Sequence, residues 1–65
     1  MLRDVLADVF ATRERLRGYI LDDQGSLRFH LAVFIDGQQI MDPKGLSDDV
    51  PDAADIHVIQ ALSGG

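Results

Sequence analysis

The sequence predicts an α+β domain in which one helix packs on an antiparallel or mixed sheet. The first 17 residues carry apolar side chains at helical spacing, whereas "LRFHLAVFID" alternates apolar and polar residues, as in a strand with one buried face. A further strand-like run, "IHVIQAL", spans Ile56 to Leu62. The expected order is helix, strand, strand, short turn, strand and tail, within one domain at 1–62 and a tail at 63–65.

The helix is predicted from about Leu2 to Arg17. Its apolar stripe consists of Leu2, Val5, Leu6, Val9, Phe10 and Leu16. Gly18 is expected to end it, and Arg13, Arg15 and Arg17 suit the negative end of the helix dipole. Tyr19 to Leu21 then form a short β-prone run, followed by a turn from Asp22 to Gly25.

The first long strand is predicted within Leu27 to Asp36. Its inward side chains are expected to be Leu27, Phe29, Leu31, Val33 and Ile35, and its outward ones Arg28, His30, Ala32, Phe34 and Asp36. Asp36-Gly37 is a tight-turn dipeptide, after which Gln38 to Met41 return as a short strand.

The segment before the last strand is predicted to consist of turns. "DPKG" places Pro43 at the second position of a turn, and Leu46 is expected to enter the core. We expect Ser47 to cap one helical or 3₁₀ turn over Asp48 to Val50. "PDAAD" forms the next turn, and Ile56, Val58 and Leu62 should then point inward.

Composition restricts the possible partners. The net charge of −5 disfavours nucleic acid and favours either a basic protein partner or simple solubility. The chain has no cysteine, which suits a reducing compartment, and no leader or apolar run of membrane-spanning length. The expectation is a cytoplasmic protein that binds no membrane.

No catalytic or metal-binding constellation is visible in the sequence. His30 and His57 are two possible ligands without a third, and Ser63 lies in a Gly-rich tail instead of a nucleophile elbow. The acids from Asp42 to Asp55 lack the ligand spacing of a calcium loop. We therefore expect a protein that other enzymes act upon, with no metal and no cofactor of its own.

Phe34 and Ile59 are large apolar residues at positions that the alternation assigns to solvent. Two interpretations stay open: scattered exposed apolar side chains, which are common, or a docking patch on adjacent strands.

Three segments of the chain, taken together, resemble a known protein family. "LRDVLADVF" as a helix, "LAVFIDGQQI" as strand and turn, and "SDDVPDAADIHVIQALSGG" as turn, last strand and tail resemble the ubiquitin-like sulfur carriers of the MoaD/ThiS type. The resemblance covers about Leu2 to Gly65 and implies a β-grasp fold. It also implies a carrier role, in which a ubiquitin-activating-type enzyme uses ATP to adenylate the Gly65 carboxylate.

In such carriers the C-terminus becomes a thiocarboxylate, which gives its sulfur to an acceptor synthase in molybdopterin, thiamine or amino-acid biosynthesis. Gly64 and Gly65 have no Cβ and suit a narrow channel, while Leu62 and Ser63 set the reach of the tail. Leu62, Ser63, Phe34 and Ile59 are the expected docking residues. Asp48, Asp49, Asp52 and Asp55 are expected to steer the domain onto a basic partner surface.

The resemblance has one departure. The family begins with a strand hairpin before the helix, whereas the helix here is expected from Leu2, so the last strand should pair with Leu27–Ile35 and have an unpaired opposite edge. Three explanations stay open: Met1 is not the natural start, the chain forms a homodimer through that edge, or the smaller sheet is tolerated. Alternative functions are a protein modifier joined through Gly65 and a non-covalent interaction module.

Overall fold

The computed structural model describes residues 1–60, which contain two helices and three strands. The helices are α1, Leu2–Thr12, and α2, Glu14–Ile20. The strands are β1, Leu31–Ile35, β2, Gln38–Gln39, and β3, Ile56–Gln60. The predicted α+β class is confirmed, and the sheet is antiparallel throughout.

The prediction of one helix from Leu2 to Arg17 was wrong, because the helix breaks at Arg13. This residue has φ −136° and ψ 70°, and Glu14 begins the second helix. In a continuous helix Leu16 would lie about 240° around the axis from Phe10, at roughly 100° per residue. The break turns α2 so that Leu16 and Ile20 pack against the core that α1 also contacts.

Gly18 does not end the helix, and the residues after it do not form a strand. Gly18 lies inside α2, which continues through Tyr19 to Ile20, and Leu21 forms only an isolated bridge with Leu27. Between them, Asp22 closes the predicted turn, since its carboxylate accepts hydrogen bonds from the backbone N–H groups of Gln24 and Ser26.

The first strand is shorter than the alternation predicted. A turn in which Leu31 N–H donates to the Arg28 carbonyl (3.0 Å) precedes β1. Phe29 sits in this turn and is 87% exposed, so its predicted inward position was wrong. Ala32, expected outward, is buried instead, whereas Val33 is fully buried as predicted.

The sheet has the strand order β2-β1-β3, which confirms that the last strand pairs with the first. Asp36 and Gly37 both have positive φ (50° and 82°), as the two central residues of a type I′ hairpin require, and they link β1 to β2. Val33 lies opposite Val58, and Ile35 lies opposite Ile56. Within residues 1–60, no strand pairs with the other edge of β3.

The core lies between the helices, the sheet and the loop after β2. Its buried residues are Leu2, Leu6, Phe10, Leu21, Val33 and Leu46. The predicted entry of Leu46 into the core is confirmed, and the side chain is only 2% exposed. On β3 the packing is looser: Ile56 is half-buried, and Val58 is 37% exposed.

The predicted helical turn over Asp48 to Val50 is absent from the described residues. Ser47 does not cap a turn, because its hydroxyl donates to the Asp42 carboxylate at 2.6 Å. Asp42 itself organises the turn, as its carbonyl accepts the Leu46 N–H and its carboxylate accepts the Gly45 N–H. A short side chain that accepts local backbone N–H groups stabilises such a turn without any helix.

Candidate functional site

The candidate docking face is the side of the sheet opposite Val33. Strand alternation and the β1–β3 register put four residues on this face: Ala32, Phe34, His57 and Ile59. Ala32 lies directly opposite Ile59, and Phe34 lies directly opposite His57. Phe34 and Ile59 are therefore diagonal neighbours on adjacent strands, within reach of each other's side chains.

Exposure differs between these two predicted docking residues. Ile59 is 49% exposed, whereas Phe34 is half-buried. The structure thus brings the pair together, but only Ile59 offers a large apolar surface to a partner. The patch is narrow and is centred on β3, next to the sheet edge.

Among residues 1–60, no strand pairs with the backbone groups on the outer edge of β3. Val33 accepts a hydrogen bond from Ile40 through its carbonyl, so its polar backbone groups face β2. In an antiparallel ladder the residues alternate sides, and Phe34 therefore exchanges hydrogen bonds with His57. It follows that the N–H and C=O groups of Ile56 and Val58 point away from β1, toward the open edge.

A clamp of two aspartates fixes the start of β3. The Asp36 N–H donates to the Asp55 carbonyl (2.8 Å), and the Asp55 N–H donates to the Asp36 carboxylate (2.9 Å). These bonds connect the β1–β2 turn to the residue before β3. The clamp thereby holds the register that brings Gln60, the last described residue, opposite Leu31.

The predicted residues of the tail lie outside the described residues. This applies to Leu62 and Ser63, expected to set the reach, and to Gly64 and Gly65, expected to carry the chemistry. In the sequence, Ala61 separates these four residues from Gln60, the last residue of β3.

Part of the acidic segment has a structural role. The Asp48 carboxylate accepts hydrogen bonds from the N–H groups of Met41 and Asp42, both at 2.9 Å. The Asp48 carbonyl also accepts the Leu2 N–H, and the Leu46 carbonyl accepts the Arg3 N–H, so this loop satisfies the first N–H groups of α1. Of the four acids expected to steer a partner, Asp48 is thus partly occupied, whereas Asp49, Asp52 and Asp55 are exposed.

The pKa of Asp42 is lowered by the hydrogen bonds of its turn. The Ser47 hydroxyl contributes most, and the Gly45 N–H next, to holding the pKa of Asp42 below its ordinary value; partial desolvation opposes them. Hydrogen bonds of this kind favour the ionised form. The shift supports the turn after β2 and indicates no catalytic role.

The two histidines do not form a shared site. His57 lies on β3, whereas His30 lies in the turn before β1, with its ring edge-to-face against Phe29 at 5.7 Å between centroids. No group of three or more His, Cys, Asp or Glu side chains with metal-binding geometry occurs in residues 1–60. In the same range, neither helix has the length and apolarity needed to cross a bilayer.

The sequence interpretation missed a cationic cleft beside α1. Arg3, Arg17 and Lys44 line this cleft together, although they come from α1, α2 and the loop after β2. Arg17 was expected to act only at a helix end. The signal available in the sequence was the spacing of Arg3, Ala7 and Ala11 along one row of a helix, a basic residue followed by two small ones.

Scans against protein-family models, curated proteins and solved structures return no match to this chain. Function is therefore inferred from the residues and their geometry.

Proposed function

We propose that this chain is a ubiquitin-like sulfur carrier of the MoaD/ThiS type, with a β-grasp arrangement and a cytoplasmic location. The main support for this proposal is the sequence of the last segment, in which an acidic turn and an apolar strand are followed by Gly64-Gly65. The proposal requires that Gly65 bears a free carboxylate in the mature protein. Its docking surface is the Phe34 and Ile59 face, together with Leu62 and Ser63.

The position of β3 supports this function. β3 is an edge strand, fixed at its start by the Asp36 and Asp55 clamp and paired with β1 along its length. The pairing and the clamp fix where β3 ends relative to Ile59. An enzyme that docks on the Ile59 side of the sheet would therefore bind next to the point from which the chain continues toward Gly64-Gly65.

The chemistry requires little from the carrier itself. A carboxylate oxygen of Gly65 attacks the α-phosphorus of ATP, and pyrophosphate leaves. The resulting acyl adenylate has AMP as a good leaving group, so a sulfur nucleophile forms the C–S bond as the C–O bond to AMP breaks. Glycines without Cβ atoms admit this backbone to a narrow channel, and all acid–base chemistry belongs to the partner enzyme.

Adenylation is tested by ATP–pyrophosphate exchange with a ubiquitin-activating-type enzyme from the same organism. We expect exchange with the full chain, and none after Gly64 and Gly65 are deleted. The matched control is Met41→Ala, because Met41 is 90% exposed and lies outside the proposed docking face. Equal exchange with the full and the shortened chain would refute a role for the Gly65 carboxylate.

The other two functions predicted from the sequence become distinguishable outcomes. A protein modifier would be adenylated in the same assay but would be recovered joined to lysine side chains of other proteins. A non-covalent module would bind its partner equally well after the two glycines are deleted. Only the carrier gains a C-terminal thiocarboxylate.

A further inference from the structure

A cleft beside α1 combines an apolar floor with an entirely cationic rim. Its volume is about 570 Å³. The floor is formed by core side chains that remain slightly accessible, namely Leu6, Phe10, Leu21 and Leu46. Ala7 and Ala11 line the α1 side of the cleft, and their short side chains leave room above this floor.

The charged side chains that line this cleft are all of one sign. Arg3, Arg17 and Lys44 line it, and no carboxylate among residues 1–60 does so. None of the three cationic side chains forms an ion pair within the described residues. In the adjoining loop, Asp42 is the acid nearest in sequence to Lys44, and its carboxylate accepts hydrogen bonds from Gly45 and Ser47. This arrangement is unusual in a chain whose net charge is −5.

We propose that this cleft, formed by α1, α2 and the Lys44 loop, binds an acidic amphipathic segment of a partner protein. Apolar side chains of the segment would pack on the exposed Ala7 and Ala11, above the nearly buried floor, and its carboxylates would pair with Arg3, Arg17 and Lys44. An apolar groove rimmed by basic residues suits a helix or turn that carries both kinds of side chain. The proposal does not involve Gly65 and is independent of the proposed function.

The charge distribution of the chain favours a protein segment over other anionic partners. A nucleic acid or an anionic membrane presents an extended negative surface, which the remainder of this acidic chain repels. A small inorganic anion would leave the exposed side chains of Ala7 and Ala11 uncovered. A short acidic and apolar peptide satisfies both the floor and the rim, with few charges brought near the rest of the surface.

The test is to titrate the ¹⁵N-labelled full chain with a short synthetic peptide of leucine and glutamate and to monitor the backbone amide signals by NMR. The comparison peptide has lysine in place of every glutamate. We expect saturable shifts at Ala7, Ala11, Gly25 and Gly45 with the acidic peptide, at a Kd of about 1 mM or tighter, and no saturable shift with the basic one. Absence of saturation in this range, equal responses to both peptides, or shifts confined to β3 would overturn the proposal.

Matched charge variants separate the cleft from the overall charge of the protein. R3Q/K44Q and R13Q/R15Q remove the same number of positive charges, but only the first pair lines the cleft. We expect R3Q/K44Q to weaken binding about 3- to 30-fold and the control pair less than about twofold at physiological salt. Ala11→Leu, which keeps every charge and fills the space above the floor, should also abolish binding. If the two charge variants weakened peptide binding equally, or if Ala11→Leu bound the peptide as the unmodified chain does, the cleft would not be the binding site.

Discussion

Replacement of Leu46 by alanine tests how far the loop after β2 holds the fold together. The Leu46 side chain lies in the core and is 2% exposed. The backbone carbonyl of Leu46 accepts a hydrogen bond from the Arg3 N–H at 2.9 Å. A buried Leu→Ala change typically costs about 2–5 kcal/mol through lost burial and a residual cavity. A chain of 65 residues is expected to have a total stability of roughly 3–10 kcal/mol. We therefore expect the variant to lose much, or nearly all, of its stability.

The measurement is urea unfolding monitored by circular dichroism. For a chain this small, the free energy of unfolding falls by about 1 kcal/mol per molar urea, so the unfolding midpoint should fall by about 2 M or more. Leu46→Met keeps most of the volume and should cost less than about 1.5 kcal/mol, so it remains measurable if the alanine variant is unfolded. Met41→Ala, at a 90% exposed position in the same loop, should change stability by less than about 0.5 kcal/mol.

These variants distinguish a core residue from a loop residue of little importance. A loss below about 1 kcal/mol in Leu46→Ala would show that the loop is not part of the cooperative core. In that case the contacts of Leu46 with α1 and β1 would not account for the docking of the loop.

Three other predictions concern a strained turn, a titrating turn and an open edge. Ala53 is exposed and has a left-handed backbone, with φ 59°. Ala53→Gly should raise the free energy of unfolding by up to about 1 kcal/mol, because the strain that glycine relieves exceeds the entropy that it adds to the unfolded chain. A lower midpoint of urea unfolding would contradict this. The hydrogen bond from Ser47 lowers the pKa of Asp42 in the folded protein. The stabilisation of the fold by ionised Asp42 is therefore complete above the unfolded pKa of about 3.9 and is lost as the pH falls through the lower, folded pKa. Asp42→Asn should therefore reduce the loss of stability below about pH 4, and an unchanged acid profile by thermal melting would refute this assignment. Val58→Pro removes an N–H group that points to the open edge of β3 and should abolish any self-association seen by light scattering. Val58→Thr keeps this N–H group and should leave the self-association unchanged. If both variants, or neither, lost the self-association, edge pairing would be excluded.

The fold class followed from periodicity, but the break in the helix did not. The apolar stripe up to Phe10 correctly predicted α1, and the alternation around Val33 correctly predicted β1. The break at Arg13 involves neither glycine nor proline, so local propensity contained no signal for it. It depends instead on the tertiary requirement that Leu16 reach the same core as Phe10.

Turn chemistry was predictable where one dipeptide determines the backbone, and less so where side chains compete. Asp36-Gly37 formed the hairpin that its sequence predicts. Ser47, in contrast, had two possible partners, a helical turn after it or a carboxylate before it, and Asp42 prevailed because that aspartate organises its own turn. Phe29 was misassigned for a related reason, since alternation continues across a turn as readily as along a strand.

The candidate site was predictable in part. Alternation alone was enough to place Phe34 and Ile59 on one face, and the register then made them diagonal neighbours. Their exposure was not predictable, because it depends on how closely neighbouring groups cover each strand. The cationic cleft combines residues from three separate segments, and no local pattern reports a contact of that range.

Whether Gly65 carries sulfur can be read directly from the mass of the protein. The full chain is co-expressed with a ubiquitin-activating-type enzyme and a sulfur donor, and its C-terminal peptide is fragmented by mass spectrometry. We expect one oxygen-to-sulfur exchange, located at the Gly65 carboxyl group and absent when Gly64 and Gly65 are deleted. A Gly65 that remains an unmodified carboxylate under these conditions, or is recovered in amide linkage to lysine, would contradict it.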